Sequence, residues 1–286
     1  MLISEFHNLY KSDGLSPRII SQFQNIIYNY YKQQGRKFPF RENITPYNVA
    51  VSEIMLQQTQ TGRVAEKFLN FIDKFPDFRT LSQAQLEDVL KTWQGLGYNR
   101  RAVALKKIAE MIITDYNGDL PDSIEILKTF PQIGHNTASS IVTFAFNKPT
   151  IFIETNIRRV YIYFFFPGKN SITDKEITPI LEKTMDCENP RKWYYALMDY
   201  GVMLKKTYPN LNKRSAHYRK QAPFKGSSRE LRGRILKILI NKENMKRGDL
   251  LKELKGVTSE KLKQILDQLV KESFIKLESN TIQIVK

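Results

Sequence analysis

The sequence predicts a largely helical protein that ends in a small domain of helices and strands. Up to residue 207, apolar side chains recur every three to four positions, and no long stretch alternates with period two. Near the C-terminus, residues 274–285 alternate on either side of Ser279 and Asn280, which is typical of a β-hairpin. Helical stretches precede this hairpin, and their order indicates a winged-helix-like α+β domain.

Each predicted helix rests on its apolar spacing and on the residue that ends it. Ile19, Phe23 and Ile27 share one face of the first predicted helix, and Gly35 ends that helix. The predicted helices cover residues 17–34, 46–58, 64–74, 83–93, 100–115, 173–183 and 189–206, followed in the tail by residues 230–240, 248–254 and 259–272.

Residues 127–141 contain a tight turn between two helical stretches, with Pro131 and Gly134 in the turn. A helix-hairpin-helix of this kind can offer backbone N–H groups to a phosphate. We therefore expect this hairpin to hold a DNA backbone. The acidic residue Glu154 follows it closely in the sequence.

Residues 208–228 are rich in Pro, Asn, Lys, Arg and Gly and are predicted to form a basic linker. The linker separates a helical domain of residues 1–207 from the winged-helix-like domain of residues 229–286. The third helix of that last domain carries several lysines. Two roles remain open for it, namely contact with DNA or RNA and packing or contact with a protein.

The 286 residues carry a formal net charge of +16, and much of the excess lies after residue 200. Such a charge favours an anionic partner, either nucleic acid or an acidic membrane surface, although lysine-rich chains can also reflect a biased genome. No apolar run approaches the ~20 residues of a membrane span, and the N-terminus lacks the pattern of a signal peptide. We expect a cytoplasmic protein, associated with the nucleoid if it is bacterial.

Metal and nucleotide sites receive little support from the sequence. Cys187 is the only cysteine, so an intrachain disulfide and a cysteine metal cage are excluded. No His, Asp and Glu residues cluster at metal-ligand spacing, and the residues after Gly95-Leu-Gly97 do not form a phosphate-binding loop. His135 lies in the hairpin turn, where it could contact a phosphate or simply be exposed.

Glu53 is the first candidate for acid–base chemistry. It lies in an otherwise apolar helix, just before a cluster of Gln and Thr residues. A carboxyl group shielded from water can keep its proton and serve as a proton donor, whereas the alternative is an exposed Glu on a helix surface. Gln57, Gln58 and Gln60 could hydrogen-bond base edges or fill a gap in a base stack, or could form an exposed helix end.

Glu154 is the second candidate, because it lies between the apolar run 150–153 and the basic pair Arg158-Arg159. A carboxylate beside a sugar can stabilise an oxocarbenium-like centre. The alternatives are an ion pair with Arg158 and a helix N-cap. Asn156 could cap the following helix or orient Glu154. Two carboxylates near one anionic backbone fit the chemistry of glycosidic bonds.

Five sequence blocks, in order, resemble the helix-hairpin-helix DNA glycosylases of the endonuclease III superfamily, and most closely the MutY-type adenine glycosylases. The likeness extends over about residues 30–206, and the second block is specific to the MutY branch. The blocks are Phe38-Pro-Phe-Arg41, Ser52-Glu-Ile-Met-Leu-Gln-Gln-Thr-Gln60, Gly95-Leu-Gly-Tyr98, Phe130-Pro-Gln-Ile-Gly134 and Glu154-Thr-Asn-Ile-Arg-Arg159.

The resemblance implies an all-α bilobal glycosylase fold that holds DNA across the mouth of a cleft and flips the target base. It implies that Glu53 protonates the departing adenine, that Glu154 stabilises the sugar cation and that Asn156 supports that site. Phe40, Arg41 and Asn136 would line the base pocket. The hairpin at residues 130–135 would grip phosphates, often with a monovalent cation. The residues expected to contact DNA are Gln57, Gln58, Gln60, Tyr98, Asn99, Gln132, Gly134, His135, Lys205 and Lys206.

The sequence departs from the family pattern at several of these positions. Glu154 stands where the family usually has Asp, and Gln132 replaces the first glycine of the hairpin. Asn99 replaces a second Tyr, which removes a stacking wedge. Asn136 stands where bifunctional members have Lys, and without that Lys a Schiff-base mechanism lacks its nucleophile. The resemblance therefore implies a monofunctional enzyme.

Most of the family carries four cysteines that hold an iron–sulfur cluster after the catalytic lobe. Residues 203–213 occupy that region without a cysteine, so we expect no cluster and no other cofactor. We also expect the family domain that reads 8-oxoguanine to be absent, with the winged-helix-like tail in its place.

The sequence thus predicts a monomeric DNA glycosylase without an iron–sulfur cluster, which acts on duplex DNA and hydrolyses the N-glycosidic bond of a mispaired or damaged base. Adenine opposite 8-oxoguanine or guanine is the expected substrate because of Glu53. One alternative is a thymine or uracil mismatch glycosylase. The other is a non-catalytic DNA-binding protein that uses its winged helix.

Overall fold

The computed structural model describes residues 2–220, 223–242, 244–278 and 281–285. Helices account for most of these residues, and the described strands form one small sheet near the C-terminus. The predicted fold class, helical with a small C-terminal α+β domain, is confirmed. No helix in the described ranges combines the length and the hydropathy that crossing a membrane requires.

The helices before residue 208 are, in chain order, α1 (Ile3–Asp13), α2 (Pro17–Gln34), α3 (Pro39–Glu42), α4 (Pro46–Leu56), α5 (Thr61–Lys74), α6 (Phe78–Gln83), α7 (Leu86–Trp93), α8 (Arg100–Asp115), α9 (Ile124–Leu127), α10 (His135–Phe146), α11 (Thr155–Phe165), α12 (Asp174–Thr184) and α13 (Pro190–Thr207). A 3₁₀ turn at Leu211–Arg214 follows them. The bounds of α2 and α8 agree with the prediction to the residue. Helices α1, α3 and α6 were not predicted, and α11 was anticipated without bounds, as the helix that Glu154 or Asn156 could cap.

The missed helices have local causes. In α1, Phe6 is the one residue that the structure buries, so the helix shows hardly any apolar stripe. Helix α6 has only six residues, and the side chain of its N-cap, Asp77, accepts a hydrogen bond from the amide of Thr80 at 2.7 Å. Helix α3 has only four residues, which are too few to show a 3.6-residue period.

The described chain divides into two compact units. The first contains Met1–Val49, Asp122–Thr129 and Ile133–Lys220, and the second contains Ala50–Pro121, Phe130–Gln132 and Gln221–Lys286. The predicted domain of residues 1–207 is divided between the two units, and the C-terminal tail belongs to the second unit. The division at residues 208 and 228 therefore stays a prediction.

Aromatic side chains form the centre of the first unit. Phe23 on α2 is fully buried, and its ring lies edge-on to four rings from α11 and α13. The ring centroids are 5.6, 5.0, 4.9 and 5.6 Å from those of Tyr161, Phe164, Phe165 and Trp193, respectively. The aromatic residues near the end of α11 thus belong to the core of this unit.

The C-terminal domain lies within the second unit and consists of α14 (Ser228–Asn241), β1 (Met245–Lys246), α15 (Arg247–Glu253), α16 (Ser259–Lys271), β2 (Ile275–Glu278) and β3 (Thr281–Ile284). The strand order is β1-β3-β2, with antiparallel pairs throughout. The predicted hairpin is present as β2 and β3, and its turn at residues 279 and 280 lies outside the described residues. Strand β1 was missed because two residues cannot show an alternating pattern.

Replacing Phe23 with Ala should lower the free energy of unfolding by about 3–5 kcal/mol, since the change removes a ring that contacts four others and leaves a cavity. Phe224 is the matched control because 62% of its surface is exposed; its replacement by Ala should change stability by less than about 0.5 kcal/mol. Urea denaturation followed by fluorescence measures both. Equal losses in the two variants would contradict the assigned core.

Candidate active site and DNA-contacting loops

Glu53 lies in the last two turns of α4, in the second unit, where its side chain is partly exposed. Its neighbours Ser52 and Ile54 are buried, with 3% and 1% of their surface exposed. The helix therefore presents this one carboxyl group at the edge of an otherwise buried segment. This placement is compatible with the predicted proton donor.

Arg101 at the start of α8 holds the end of that helix. The residue is only 3% exposed, and its guanidinium donates to oxygens of the last turn of α4, of the loop that follows α4 and of the loop before α8. Burial lowers its pKa to about 10, so it stays protonated at neutral pH. The acceptors are the carbonyls of Ile54, Met55 and Gln57 at 2.8, 2.7 and 2.6 Å, the hydroxyl of Thr59 at 2.9 Å, and the carbonyls of Leu96 and Gly97 at 3.2 and 3.1 Å.

Sequence reasoning missed Arg101, although a signal was present. The apolar stripe of α8 continues through Leu105, Ile108 and Ile112, and Arg101 occupies the preceding position of the same stripe. A cation on the buried face of a helix must find acceptors inside the protein, because an unpaired buried charge is costly. The position could therefore have been recognised as a structural centre.

Three residues predicted to contact DNA have left-handed backbone conformations. Their φ angles are 55° at Gln58, 46° at Tyr98 and 62° at Gln132, all in the second unit. The angle at Gln132 explains why the family usually has glycine there, since a side chain makes this conformation less favourable. The side-chain amide of Gln57 donates to the backbone carbonyl of Gln132 at 3.2 Å. This bond joins the Gln-rich loop to the hairpin turn.

The other predicted contacts in the second unit lie on the same loops. Gln60 is exposed and is the N-cap of α5, and Asn99 is the N-cap of α8. Neither side chain forms a capping hydrogen bond. Because Arg101 and Gln57 tie these loops together, the structure brings Gln57, Gln58, Gln60, Tyr98, Asn99 and Gln132 into one region of the unit.

In the first unit, Glu154 is the N-cap of α11. One carboxylate oxygen accepts hydrogen bonds from the backbone amides of Asn156 and Ile157 at 2.8 and 3.1 Å, and the other accepts from the side-chain amide of Asn156 at 3.3 Å. Burial raises the pKa of Glu154, whereas these hydrogen bonds oppose the rise. The carboxylate is therefore held firmly in a partly dry environment.

The alternative ion pair between Glu154 and Arg158 is not formed, because Arg158 binds Asp174 through two contacts of 2.7 Å. Arg159 takes part instead. Its Nη1 donates to the side-chain oxygen of Asn156 at 2.7 Å and to the carbonyl of Gly201 on α13 at 2.8 Å. The structure thus joins Glu154, Asn156 and Arg159 in one hydrogen-bonded chain.

Gly201 allows α13 to approach this turn. A Cβ atom at this position would lie 2.4 Å from the carbonyl oxygen of Asn156, which is closer than any real contact. Glycine is required here because the two segments pack closely. Its backbone conformation is not the reason, since Gly201 lies inside a helix.

The hairpin places α10 beside the segment that leads to Glu154. His135 contacts the carbonyl of Ile151 at 3.2 Å, and the side-chain amide of Asn136 donates to the carbonyl of Ile153 at 3.0 Å. Gly134 is the N-cap of α10 and provides no side chain there. The exposed first turn of α10 can therefore accept a phosphate on its amides. Roles of Gly134, His135 and Asn136 in binding stay predictions.

Arg41 is already engaged within the protein. Its guanidinium lies 3.1 Å from the carboxylate of the buried Asp199 and 4.3 Å from the ring centroid of Tyr195. Phe40 is buried and stacks on Phe38, with centroids 5.1 Å apart. These contacts give Arg41 a structural task, and the predicted base-pocket role of Phe40 and Arg41 stays a prediction.

The segment that follows α13 packs on α11 and α12. Asn212 is buried, and its side-chain amide donates to the carbonyl of Thr155, between Glu154 and Asn156. The distance is 3.1 Å. The amide of Ile172 donates to the carbonyl of Arg214, and the amide of Ala216 donates to the carbonyl of Ile172. The predicted linker is therefore hydrogen-bonded to the rest of the first unit as far as His217, whose ring accepts from the backbone amide of Asp174.

This segment does not fit an iron–sulfur cluster, because its polar side chains are amides, hydroxyls, imidazole and cations rather than thiols. Cys187 lies upstream and is exposed. The guanidinium of Arg214 donates to the carbonyls of Lys169, at 2.8 Å, and Phe166. Lys205 and Lys206 are exposed in the last turn of α13, where cations suit the helix dipole.

In the part of the chain that the structure describes, no three His, Cys, Asp or Glu side chains are grouped so that they could hold a metal ion. The monovalent cation predicted at residues 130–135 would use backbone carbonyls and stays a prediction.

Residues 51–186 match the family described as HhH-GPD superfamily base excision DNA repair protein. Among similar curated proteins, an adenine DNA glycosylase from Buchnera aphidicola subsp. Baizongia pistaciae is 36% identical over 187 residues, which are 64% of this chain and 52% of that protein. One from Mycobacterium tuberculosis is 37% identical over 155 residues, 54% of this chain and 50% of that protein. The chain spans about half the length of these relatives.

Solved structures share the fold. A thermostable thymine-DNA glycosylase superposes with a TM-score of 0.57 at 24% identity, covering 64% of this chain and 86% of that one. An endonuclease III–DNA complex superposes with a TM-score of 0.53 at 20% identity, and the match covers 63% of this chain and 85% of that chain. At these identities the likeness concerns the fold alone, and it confirms the predicted helix-hairpin-helix glycosylase fold.

Replacing Asn212 with Ala should lower the free energy of unfolding by about 1–3 kcal/mol, because the carbonyl of Thr155 loses its partner in a buried setting. Lys213→Ala is the control, since this neighbouring side chain is exposed. Thermal denaturation of the full chain measures both. A loss no larger than that of the control would show that Asn212 does not hold the turn.

Proposed function

We propose that this protein, whose residues 51–186 match the HhH-GPD superfamily of base excision DNA repair proteins, is a monofunctional DNA glycosylase that removes adenine opposite 8-oxoguanine or guanine in duplex DNA. The observation that carries the proposal is the cap of α11, where Glu154 is held by the backbone and side chain of Asn156. The MutY-type block around Glu53 and the adenine DNA glycosylases among the relatives support adenine as the base.

In the proposed reaction the bond between the sugar C1′ and the base nitrogen breaks while Glu53 donates a proton to the departing adenine. The sugar develops positive charge, which the Glu154 carboxylate stabilises electrostatically. A water oxygen then bonds to C1′ and gives its proton to the carboxylate of Glu53 that the first step left, which yields an abasic site. Asn156 and Arg159 act on the orientation of Glu154 through the chain of hydrogen bonds described above.

The step ends with hydrolysis because position 136 holds an Asn. An amide nitrogen is a poor nucleophile and cannot form a Schiff base with the opened sugar. We propose that the DNA strand stays intact until the abasic site is cleaved by other means.

We also propose that the enzyme works without an iron–sulfur cluster. Support comes from the sequence, which holds a single cysteine, and from the hydrogen bonds that fix residues 208–217 to α11, to Ile172 and to the start of α12. These bonds hold the segment in place with amide and carbonyl groups.

The test uses duplexes with adenine, thymine, uracil or hypoxanthine opposite guanine or 8-oxoguanine, incubated with the full chain and then treated with alkali. We expect alkali-dependent cleavage at adenine. Cleavage at thymine or uracil alone would favour the mismatch alternative, and binding without an abasic product on any duplex would favour a non-catalytic protein. Scission before alkali would contradict the monofunctional mechanism.

Replacing Glu53 with Gln should abolish base release, by a factor of about 10² or more, because the proton donor is lost, while binding to the same duplex remains. Glu66→Gln is the matched control, since Glu66 is exposed on α5 in the same unit. Single-turnover rates and gel-shift titrations measure the two effects. Turnover like that of the control would remove Glu53 from the mechanism.

The rate should fall at low pH because Glu154 acts as a carboxylate, and protonation removes its charge. Since burial raises the pKa of Glu154, the acidic limb of the pH–rate profile should lie above the ordinary range of a Glu. Asn156→Ala removes a hydrogen bond that lowers this pKa, so the limb should move further up. The exposed Glu182 provides the control Glu182→Gln. If the acidic limb of the Asn156→Ala variant lies at lower pH than that of the unaltered protein, Glu154 is not the carboxylate that acts in the reaction.

A further inference from the structure

The first helix of the C-terminal domain contacts one of the loops that are expected to bind DNA within the second unit. Arg229 on α14 donates to the hydroxyl of Tyr98 at 2.7 Å, and its guanidinium carbon lies 5.8 Å from the centroid of the Tyr98 ring. The guanidinium of Arg101 lies 5.5 Å from the same centroid. Tyr98, with 37% of its surface exposed, thus has two cations within reach of its ring.

An ion triad fixes the C-terminal domain beside this loop. Glu272 accepts from Arg100 of α8 at 2.7 and 2.5 Å, and from Arg232 of α14 at 2.6 and 3.2 Å. Burial alone would raise the pKa of Glu272, but the two arginines hold it below its ordinary value. The triad is therefore ionised at neutral pH, and α14 has a defined position next to the loop.

The turn before α14 adds an aromatic and a cationic side chain. Phe224 is 62% exposed, and Lys225 beside it is exposed as well. The nearby carboxylate of Glu230 accepts from the amide of Gly226 at 2.6 Å, so it is directed to the backbone. We call Tyr98, Phe224, Lys225 and Arg229 the tail patch. Exposed rings next to cations are typical of surfaces that bind nucleic acid.

We propose that the tail patch binds the phosphate backbone of the duplex, so that the C-terminal domain extends the DNA-contacting surface of the second unit. The choice of DNA as partner rests on the proposed function, since Tyr98 belongs to a loop expected to contact DNA. A guanidinium has five N–H donors, so its bond to the Tyr98 hydroxyl is compatible with a phosphate contact. Loss of either cation weakens binding without changing which base pair is preferred.

The test measures binding of the full chain to a lesion-free DNA duplex over a range of salt concentrations. Each cation that contacts a phosphate contributes about 0.9 to the slope of log affinity against log salt. Arg229→Ala and Lys225→Ala should each reduce the slope by about this amount. Arg229→Lys keeps the charge and should restore the slope of the unaltered protein.

Lys252→Ala is the control, because Lys252 belongs to the same domain, is 82% exposed and pairs with Asp249 on α15. Its slope should equal that of the unaltered protein. Equal slopes for Arg229→Ala and the unaltered protein, or equal reductions in Arg229→Ala and Lys252→Ala, would overturn the proposal. Binding to an RNA duplex as tight as to DNA would overturn the choice of partner.

The experiments test the tail patch and the enzymatic function independently. A protein that releases no base from any duplex refutes the glycosylase assignment, whereas the salt slopes on lesion-free DNA still test the patch. A protein that excises adenine with unchanged slopes in all variants keeps its function and loses the patch. Thermal denaturation of each variant shows whether a lost slope reflects an unfolded domain.

Discussion

The second unit depends on one buried cation. The guanidinium of Arg101 closes the C-terminal end of α4, one turn after Glu53, and binds the carbonyls of the loop that ends in Tyr98. Helix ends leave carbonyls without partners, and a buried guanidinium without acceptors is costly. Each therefore supplies what the other lacks. A change at this position would disturb both the helix that carries the proposed acid and the loops expected to meet DNA.

A comparable arrangement holds the other carboxylate. Arg159 donates to the side chain of Asn156 and to the carbonyl of Gly201, and Asn156 donates to Glu154. In both units an arginine with hardly any exposure organises backbone groups around a residue with proposed chemistry. Loops fixed in this way can also hold left-handed residues such as Gln58 and Gln132, because the surrounding bonds compensate for the local strain.

Local patterns were enough to predict most helices, the hairpin and the two carboxylates. Helices α2 and α8 have clear apolar stripes and clear ends, so their bounds follow from the sequence. The partners of Arg101 between Ile54 and Thr59 and the partner of Asn212 could not be predicted, since each lies more than forty residues away in the chain. The partner of Arg158 was not predicted either, because the nearest candidate in sequence was Glu154, whereas Arg158 binds Asp174. Period and spacing identify which residues are buried, whereas they do not identify which groups meet.

The replacement of Asp by Glu at position 154 can be understood from the cap geometry. Short side chains are preferred at N-caps, since they reach the first amides of the helix directly. The longer side chain of Glu154 reaches the amides of Asn156 and Ile157 with one oxygen and leaves the other for the side chain of Asn156. Three donors converge on one carboxylate, which fixes its position despite the additional methylene group. A carboxylate held in this way hardly moves when a cation forms beside it. Such preorganisation makes electrostatic stabilisation effective. The departure from the family pattern is therefore compatible with the chemistry proposed for this residue.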